Sequence, residues 1–261
     1  MLSIVIPAWN EERRLPRALD SIRAWLDARR MEAEVIVVDD GSTDATASVV
    51  ADRQRKWPAL RLVSNGHNRG KGYSVRHGML EAEGDMLLFS DADLSSPIYE
   101  APKLFDALAA GAEVAIGSRW LQRELQTERQ PLYRQFFGRV FNLMLRALLG
   151  LPFKDTQCGF KAFTRRAAQS IFPLQRIERW GFDPELLFLA QKLRLTVRDP
   201  RLHVGERHHQ QRREHPELGL DVIARRRHHD PSHRDRLLRH RLKQHLDRAG
   251  LRRERDDLHH L

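Results

Sequence analysis

Through its first hundred residues the chain alternates short apolar runs with segments whose apolar residues recur at three- and four-residue spacing. A parallel sheet covered by helices satisfies that alternation. Four runs read as strands, at Leu2–Pro7, Glu34–Asp39, Leu60–Ser64 and Met86–Ser90, with a weaker fifth at Glu113–Gly117. Between the first two, Leu15, Leu19, Ile22 and Leu26 mark one helix face, and comparable segments lie near 43–56, 70–82 and 97–110. The expected fold class is α/β. In such sheets ligands sit beyond the carboxyl ends of the strands, where the strand order switches. Three polar clusters follow three strand ends here, Asn10-Glu11, Asp39-Asp40 and Asp91 to Asp93, and are expected to converge.

The most specific of these clusters is Ser90-Asp91-Ala92-Asp93, which leaves the apolar run Met86–Phe89. Residues two apart in extended chain share a face. Asp91 and Asp93 can therefore share one hard divalent cation whose other positions are filled by water and phosphate oxygens. The plainer reading is a solvated Asp-x-Asp loop. Asp39-Asp40-Gly41-Ser42-Thr43-Asp44 reads as a turn in which Ser42 or Thr43 caps the next helix, leaving Asp39 or Asp40 to accept hydrogen bonds from a base or ribose. Gly66 to Gly72 carries Arg69 and Lys71 at a glycine-rich helix start, but lacks the spacing and the Ser or Thr of a phosphate loop, which excludes a P-loop NTPase.

Composition bounds the remaining classes. A chain of 261 residues can bury a sizeable core. Its single cysteine, Cys158, cannot form an internal disulfide and fits a reducing compartment. No run approaches the roughly 18 apolar residues of a membrane span, and no signal-peptide pattern is read at the start. The expectation is a soluble or peripheral protein. The net charge of +10 is uneven, since residues 198–261 hold 17 Lys and Arg against 11 Asp and Glu. That segment has no Phe, Tyr or Trp and holds 11 of the 13 histidines. It offers no repeated ligand spacing for a metal and no aromatic residues for stacking bases, so nucleic acid is not expected as a partner. The expected division is a folded domain at 1–197 and an Arg/His-rich tail at 198–261 that is disordered or read in a shifted frame. Between the two, Leu132–Leu149 patterns as a basic amphipathic helix, either packed on the core or lying in a bilayer interface.

Ile6-Pro7-Ala8-Trp9-Asn10-Glu11-Glu12, Val37-Val38-Asp39-Asp40-Gly41-Ser42-Thr43-Asp44, Asn68-Arg69-Gly70-Lys71-Gly72 and Asp91-Ala92-Asp93 resemble, in order and spacing, the family-2 glycosyltransferases of the GT-A fold. Gly117-Ser118-Arg119, Asp155 to Lys161 and Arg179 to Glu185 are similar to the dolichyl-phosphate β-glucosyltransferase branch, whose members pass glucose from UDP-glucose to a polyprenyl phosphate. The resemblance covers about residues 1–197. It implies that Pro7, Ala8, Glu11, Asp39 and Asp40 frame the uridine with Lys71 nearby. Asp91 and Asp93 would meet Mg²⁺ or Mn²⁺ and the diphosphate, and Arg119 would face phosphate charge. Asp183 and Glu185 are base candidates or a helix N-terminal cluster, and Asp155 is equally open, with positioning of its loop as the plainer role. A phosphate acceptor needs no base, because its second pKa of about 6 leaves it largely dianionic at neutral pH.

The implied activity is inverting, metal-dependent transfer of glucose to a polyprenyl phosphate at the cytosolic face of a membrane. The family's N-terminal anchor and its continuation after Val197 are not recognised. Two alternatives stay open, a soluble family-2 transferase acting on a glycan or small hydroxyl acceptor, and an inactive nucleotide- or polyanion-binding protein.

Overall fold

The computed structural model describes residues 1–117, 150 and 156–200. All of them belong to one compact unit, Met1–Gly205. The strands are β1 (Leu2–Ala8), β2 (Ala33–Asp39), β3 (Leu60–Ser64), β4 (Met86–Ser90), β5 (Val114–Ile116), β6 (Phe160–Thr164) and β7 (Val197–Arg198). The helices are α1 (Leu15–Arg29), α2 (Thr46–Gln54), α3 (Lys71–Glu81), α4 (Ala101–Ala109), α5 (Arg165–Ile171) and α6 (Phe182–Lys192). The five strands expected from sequence are present with small changes at their ends. Arg119, Asp155, the segment Leu132–Leu149 and the tail from residue 201 lie outside the described residues.

The sheet runs β3-β2-β1-β4-β6-β5-β7. It is parallel except for β6, which pairs antiparallel with both β4 and β5. β7 pairs parallel with β5, so Arg198, the first residue of the expected tail, belongs to the sheet. From β1 the chain builds outward to β2 and β3 and then returns to place β4 on the other side of β1. That reversal opens a crevice at the carboxyl ends of β1 and β4.

Two apolar layers cover the sheet because successive strand residues face opposite ways. Ile4, Ile6, Val35, Val37 and Leu88 face one layer with Leu15, Leu19, Ile22 and Leu26 of α1 and Leu104 of α4. Val5, Ile36, Val38, Leu87 and Phe89 face the other, with Val75 and Met79 of α3, Ile171 of α5 and Leu186 and Leu187 of α6. Burying each such side chain contributes about 1.5–3 kcal/mol. Pro16 and Pro102 stand in the first turns of α1 and α4, where a missing N–H costs nothing. The strands near β1 are thus pinned from both faces, and the loops at their carboxyl ends are free to carry polar groups.

Candidate active site

The loops after β1 and β2 are braced against each other by side-chain to backbone bonds. Asn10 N–H donates to Ser42 Oγ (2.9 Å), and Thr43 N–H donates to Asn10 Oδ1 (2.9 Å). Ala45 N–H donates to Glu12 Oε2 (3.0 Å), and Glu12 N–H to Asp44 Oδ2 (3.1 Å). Ser42 and Thr43 are therefore spent on the neighbouring loop. Neither caps α2, whose first residue, Thr46, instead donates its N–H to Asp44 Oδ1 (2.9 Å).

Asp40 is buried at the end of β2, and its carboxylate organises the third loop. Oδ1 accepts from Asn65 Nδ2 (2.8 Å) and Arg69 N–H (2.9 Å), and Oδ2 accepts from Gly70 N–H (2.8 Å). Gly70 has φ +108°, and a Cβ there would lie 2.6 Å from the Glu178 carbonyl oxygen. Only glycine lets α3 begin so close to the loop before α6.

Asp91 and Asp93 do not extend β4. Leu94 N–H donates to the Asp91 carbonyl (3.0 Å), closing a turn, and Leu94 has φ +48°. The extended, same-face geometry expected from sequence is replaced by a turn, which still turns both carboxyl groups into one cavity. Asp93 is exposed, its Oδ1 accepting from Ser95 N–H (2.9 Å) and Ser95 Oγ (2.7 Å). Asp91 lies deeper, against Gly159, and pairs with Lys71 Nζ at 2.6 Å. Burial pushes the Asp91 carboxyl above the usual aspartate range. The Lys71 ammonium opposes this, and the carboxylates of Asp93 and Asp183 add to it.

A cavity of about 510 Å³ opens at this end of the sheet. Of the residues singled out in the sequence, Pro7, Ala8, Glu11, Asp40, Lys71, Asp91 and Asp93 line it, so the three strand-end clusters do converge. Asp39 and Asp183 are not on its wall. Asp39 is turned into its own loop, accepting from Ser42 N–H (3.2 Å). Asp183, in the first turn of α6, is ion-paired with Lys161, a fully buried lysine of β6 that also donates to the Cys158 carbonyl. Glu185 accepts the N–H groups of Arg176 (2.8 Å) and Ile177 (2.9 Å), the loop-anchoring use of a helix N-terminal acid. Arg69 pairs with Glu178 (3.1 Å) and stacks over Tyr73, away from the cavity wall.

The wall also holds residues to which sequence reading gave no role. Arg14 is bonded twice to Glu11 at 2.6 Å, and its guanidinium is held above its usual pKa by that carboxylate, with Asp93 adding to the effect. Arg179 and Trp180 reach the cavity from the loop before α6. Their only signal in the sequence is their place in the Arg179 to Glu185 motif. With Arg14, Lys71 and Arg179 set among Glu11, Asp40, Asp91 and Asp93, the cavity mixes cations suited to phosphate with carboxylates suited to a sugar, a base or a metal ion.

Residues 3–172 match the profile of Glycosyl transferase family 2. Among curated relatives, a dolichyl-phosphate beta-glucosyltransferase of Drosophila melanogaster is 40% identical over 209 residues, covering 75% of this chain and 64% of the relative. One from Trichomonas vaginalis is 39% identical over 206 residues, covering 75% and 61%, and the Homo sapiens protein of that name is 35% identical over 209 residues, covering 75% and 64%. The chain thus spans somewhat less than two thirds of the length of these relatives. Among solved structures, glucosyl-3-phosphoglycerate synthase from Mycobacterium tuberculosis, in complex with Mn²⁺, UDP-glucose and phosphoglyceric acid, superposes with a TM-score of 0.58 at 23% identity over 79% of this chain and 72% of that one. That likeness is one of fold. With the profile covering well over half of its residues and the sheet shared with solved glycosyltransferases, the chain belongs to glycosyl transferase family 2 and has the GT-A fold.

Proposed function

We propose that the chain transfers glucose from UDP-glucose to a polyprenyl phosphate, with inversion, using Mg²⁺ or Mn²⁺. The observation that carries this reading is the Asp91–Asp93 turn opening into the same cavity as Lys71, Glu11 and Asp40 at the carboxyl ends of β1, β2 and β4. The names of the curated relatives support glucose as the sugar and dolichyl phosphate as the acceptor.

The donor set fits a hard divalent ion. Asp91 is a largely buried carboxylate that burial holds above its ordinary pKa, with the carboxylate of Asp93 close by, an environment that favours a bound cation. Among the described residues no three or more acidic, His or Cys side chains converge to hold a metal on their own. Asp91 and Asp93 would then share the ion with diphosphate oxygens, and metal and nucleotide are expected to bind together. The ion, when bound, supplies positive charge against the departing diphosphate.

The remaining work falls to the chain's own side chains. Pro7, Ala8 and Asp40 line the cavity and would frame the base and ribose, with Asp39 setting the loop beside them. Glu11 holds Arg14 in the wall, and Lys71 and Arg179, on the same wall, would meet the phosphate charge. Arg119 is proposed for the same task. A phosphate oxygen of the acceptor attacks the anomeric carbon, and the bond from that carbon to the β-phosphate oxygen breaks, releasing UDP. Because the attacking oxygen carries no proton, no general base is needed. The Lys161 ion pair supports a positioning role for Asp183.

Titration calorimetry of UDP with and without Mn²⁺ tests the site. Metal is expected to tighten UDP binding at least tenfold, and UDP to tighten Mn²⁺ binding by the same factor. Asp93→Asn should remove this coupling and lower turnover about a hundredfold with an unchanged melting temperature. Equal UDP affinity with and without metal, or full turnover in the variant, would contradict the assignment.

A further inference from the structure

The loop between α5 and α6 carries exposed apolar side chains. Among the described residues seven large apolar side chains are exposed, and three of them, Leu174, Ile177 and Trp180, come from this one loop; Trp180 is 84% exposed. Exposed apolar patches of this kind in an ordered surface mark contact sites.

The loop is held in place. Gln175, itself buried, donates from Nε2 to the Gly72 carbonyl (2.8 Å) and to the Ile177 carbonyl (3.1 Å). Tyr73 N–H donates to the Glu178 carbonyl (2.9 Å), and Glu185 fixes the N–H groups of Arg176 and Ile177. Ordering a loop costs conformational entropy, and here the order displays Leu174, Ile177 and Trp180 to the outside. The loop's one acidic side chain, Glu178, is paired with Arg69 at 3.1 Å. Arg176 and Arg179, both exposed, therefore give it a positive face.

Two observations identify what this face meets. Tryptophan with aliphatic residues and arginines is the composition that settles at a bilayer headgroup layer, apolar parts inserted and cations against anionic lipid. The loop also reaches the cavity, since Arg179 and Trp180 line it together with the half-exposed Trp9. We infer that the 174–180 loop seats the mouth of the cavity on an anionic bilayer surface, which would bring a lipid-borne phosphate to the donor. This deepens the proposed function and rests on the acceptor being a polyprenyl phosphate.

The test uses the full chain and vesicles of phosphatidylcholine with or without phosphatidylserine, all free of polyprenyl phosphate. The paired substitution Leu174→Ser and Ile177→Ser removes two inserted side chains that do not line the cavity. Sedimentation with phosphatidylserine vesicles should fall at least tenfold, while melting temperature, UDP binding and transfer to a detergent-dispersed polyprenyl phosphate stay at wild-type levels. Arg176→Glu should weaken binding only to the phosphatidylserine vesicles. Wild-type binding in the paired variant, no vesicle binding by the wild type, or a lowered melting temperature showing that the chain itself covers these side chains would overturn the inference. Vesicle binding by the wild type without transfer to any dispersed polyprenyl phosphate would instead defeat the acceptor reading while the loop contact stood.

Discussion

A side chain at Gly159 would overlap the Asp91 carboxylate, so the position of one carboxyl group depends on the absence of one methyl. Gly159→Ala should push Asp91 out of place, costing about 1–3 kcal/mol as overpacking does and weakening metal-coupled UDP binding. Asp91→Asn separates the two effects. Burial raises the Asp91 pKa in the fold, so its charge costs nothing below the ordinary aspartate pKa. The cost grows as pH rises toward the elevated pKa and is full above it. At neutral pH the metal-free Asp91→Asn protein should therefore melt higher than wild type while losing metal-coupled UDP binding, as scanning calorimetry and titration would show. A lower melting temperature would mean that the Lys71 pair outweighs burial. At this scale the sequence showed which strand ends carry acids. It did not show which of two neighbours faces the cavity: Asp39 and Asp40 read alike, yet Asp40 lines the cavity and Asp39 turns into its loop. Arg14 stayed hidden because nothing in a run of charges at a helix start tells a wall residue from a solvated one.

β1 to β4 were legible because apolar runs of five to seven residues have a strong period and clear turn signals at their ends. β6 was not, for a physical reason. Its sequence Phe-Lys-Ala-Phe-Thr places a lysine inside an apolar run, and the partner that makes this lysine tolerable, Asp183, comes from α6. A buried charge with a distant counter-ion leaves no local trace. Lys161→Met should strand the Asp183 carboxylate and cost about 3–5 kcal/mol, read as a lower urea midpoint with an unchanged slope. Adding Asp183→Leu to it should recover most of that loss. No recovery would indicate that the ion pair is held by more than its two members. The turn at Asp91 to Leu94 escaped for a related reason, since alternation predicts extended chain until a backbone hydrogen bond ends it.

For the whole molecule, the order of strands decides where chemistry can occur. Reversal between β1 and β4 puts four loops at one end of the sheet, and their acids, Lys71 and the glycine-rich start of α3 meet there. That convergence was readable in advance because parallel strands bring their carboxyl ends, and the loops that follow them, to one edge of the sheet. Among the described residues no helix is long and apolar enough to cross a membrane, and three of the exposed apolar side chains come from the one loop whose Arg179 and Trp180 line the cavity. Donor, acceptor and metal are tested together by incubating the full chain with radiolabelled UDP-glucose and a polyprenyl phosphate, with Mn²⁺ or with EDTA, and extracting into organic solvent. Label in the organic phase that requires the metal and is lost in Asp93→Asn is the expected result. Label that stays in the aqueous phase, from protein shown to bind UDP with Mn²⁺, would contradict transfer to a lipid phosphate.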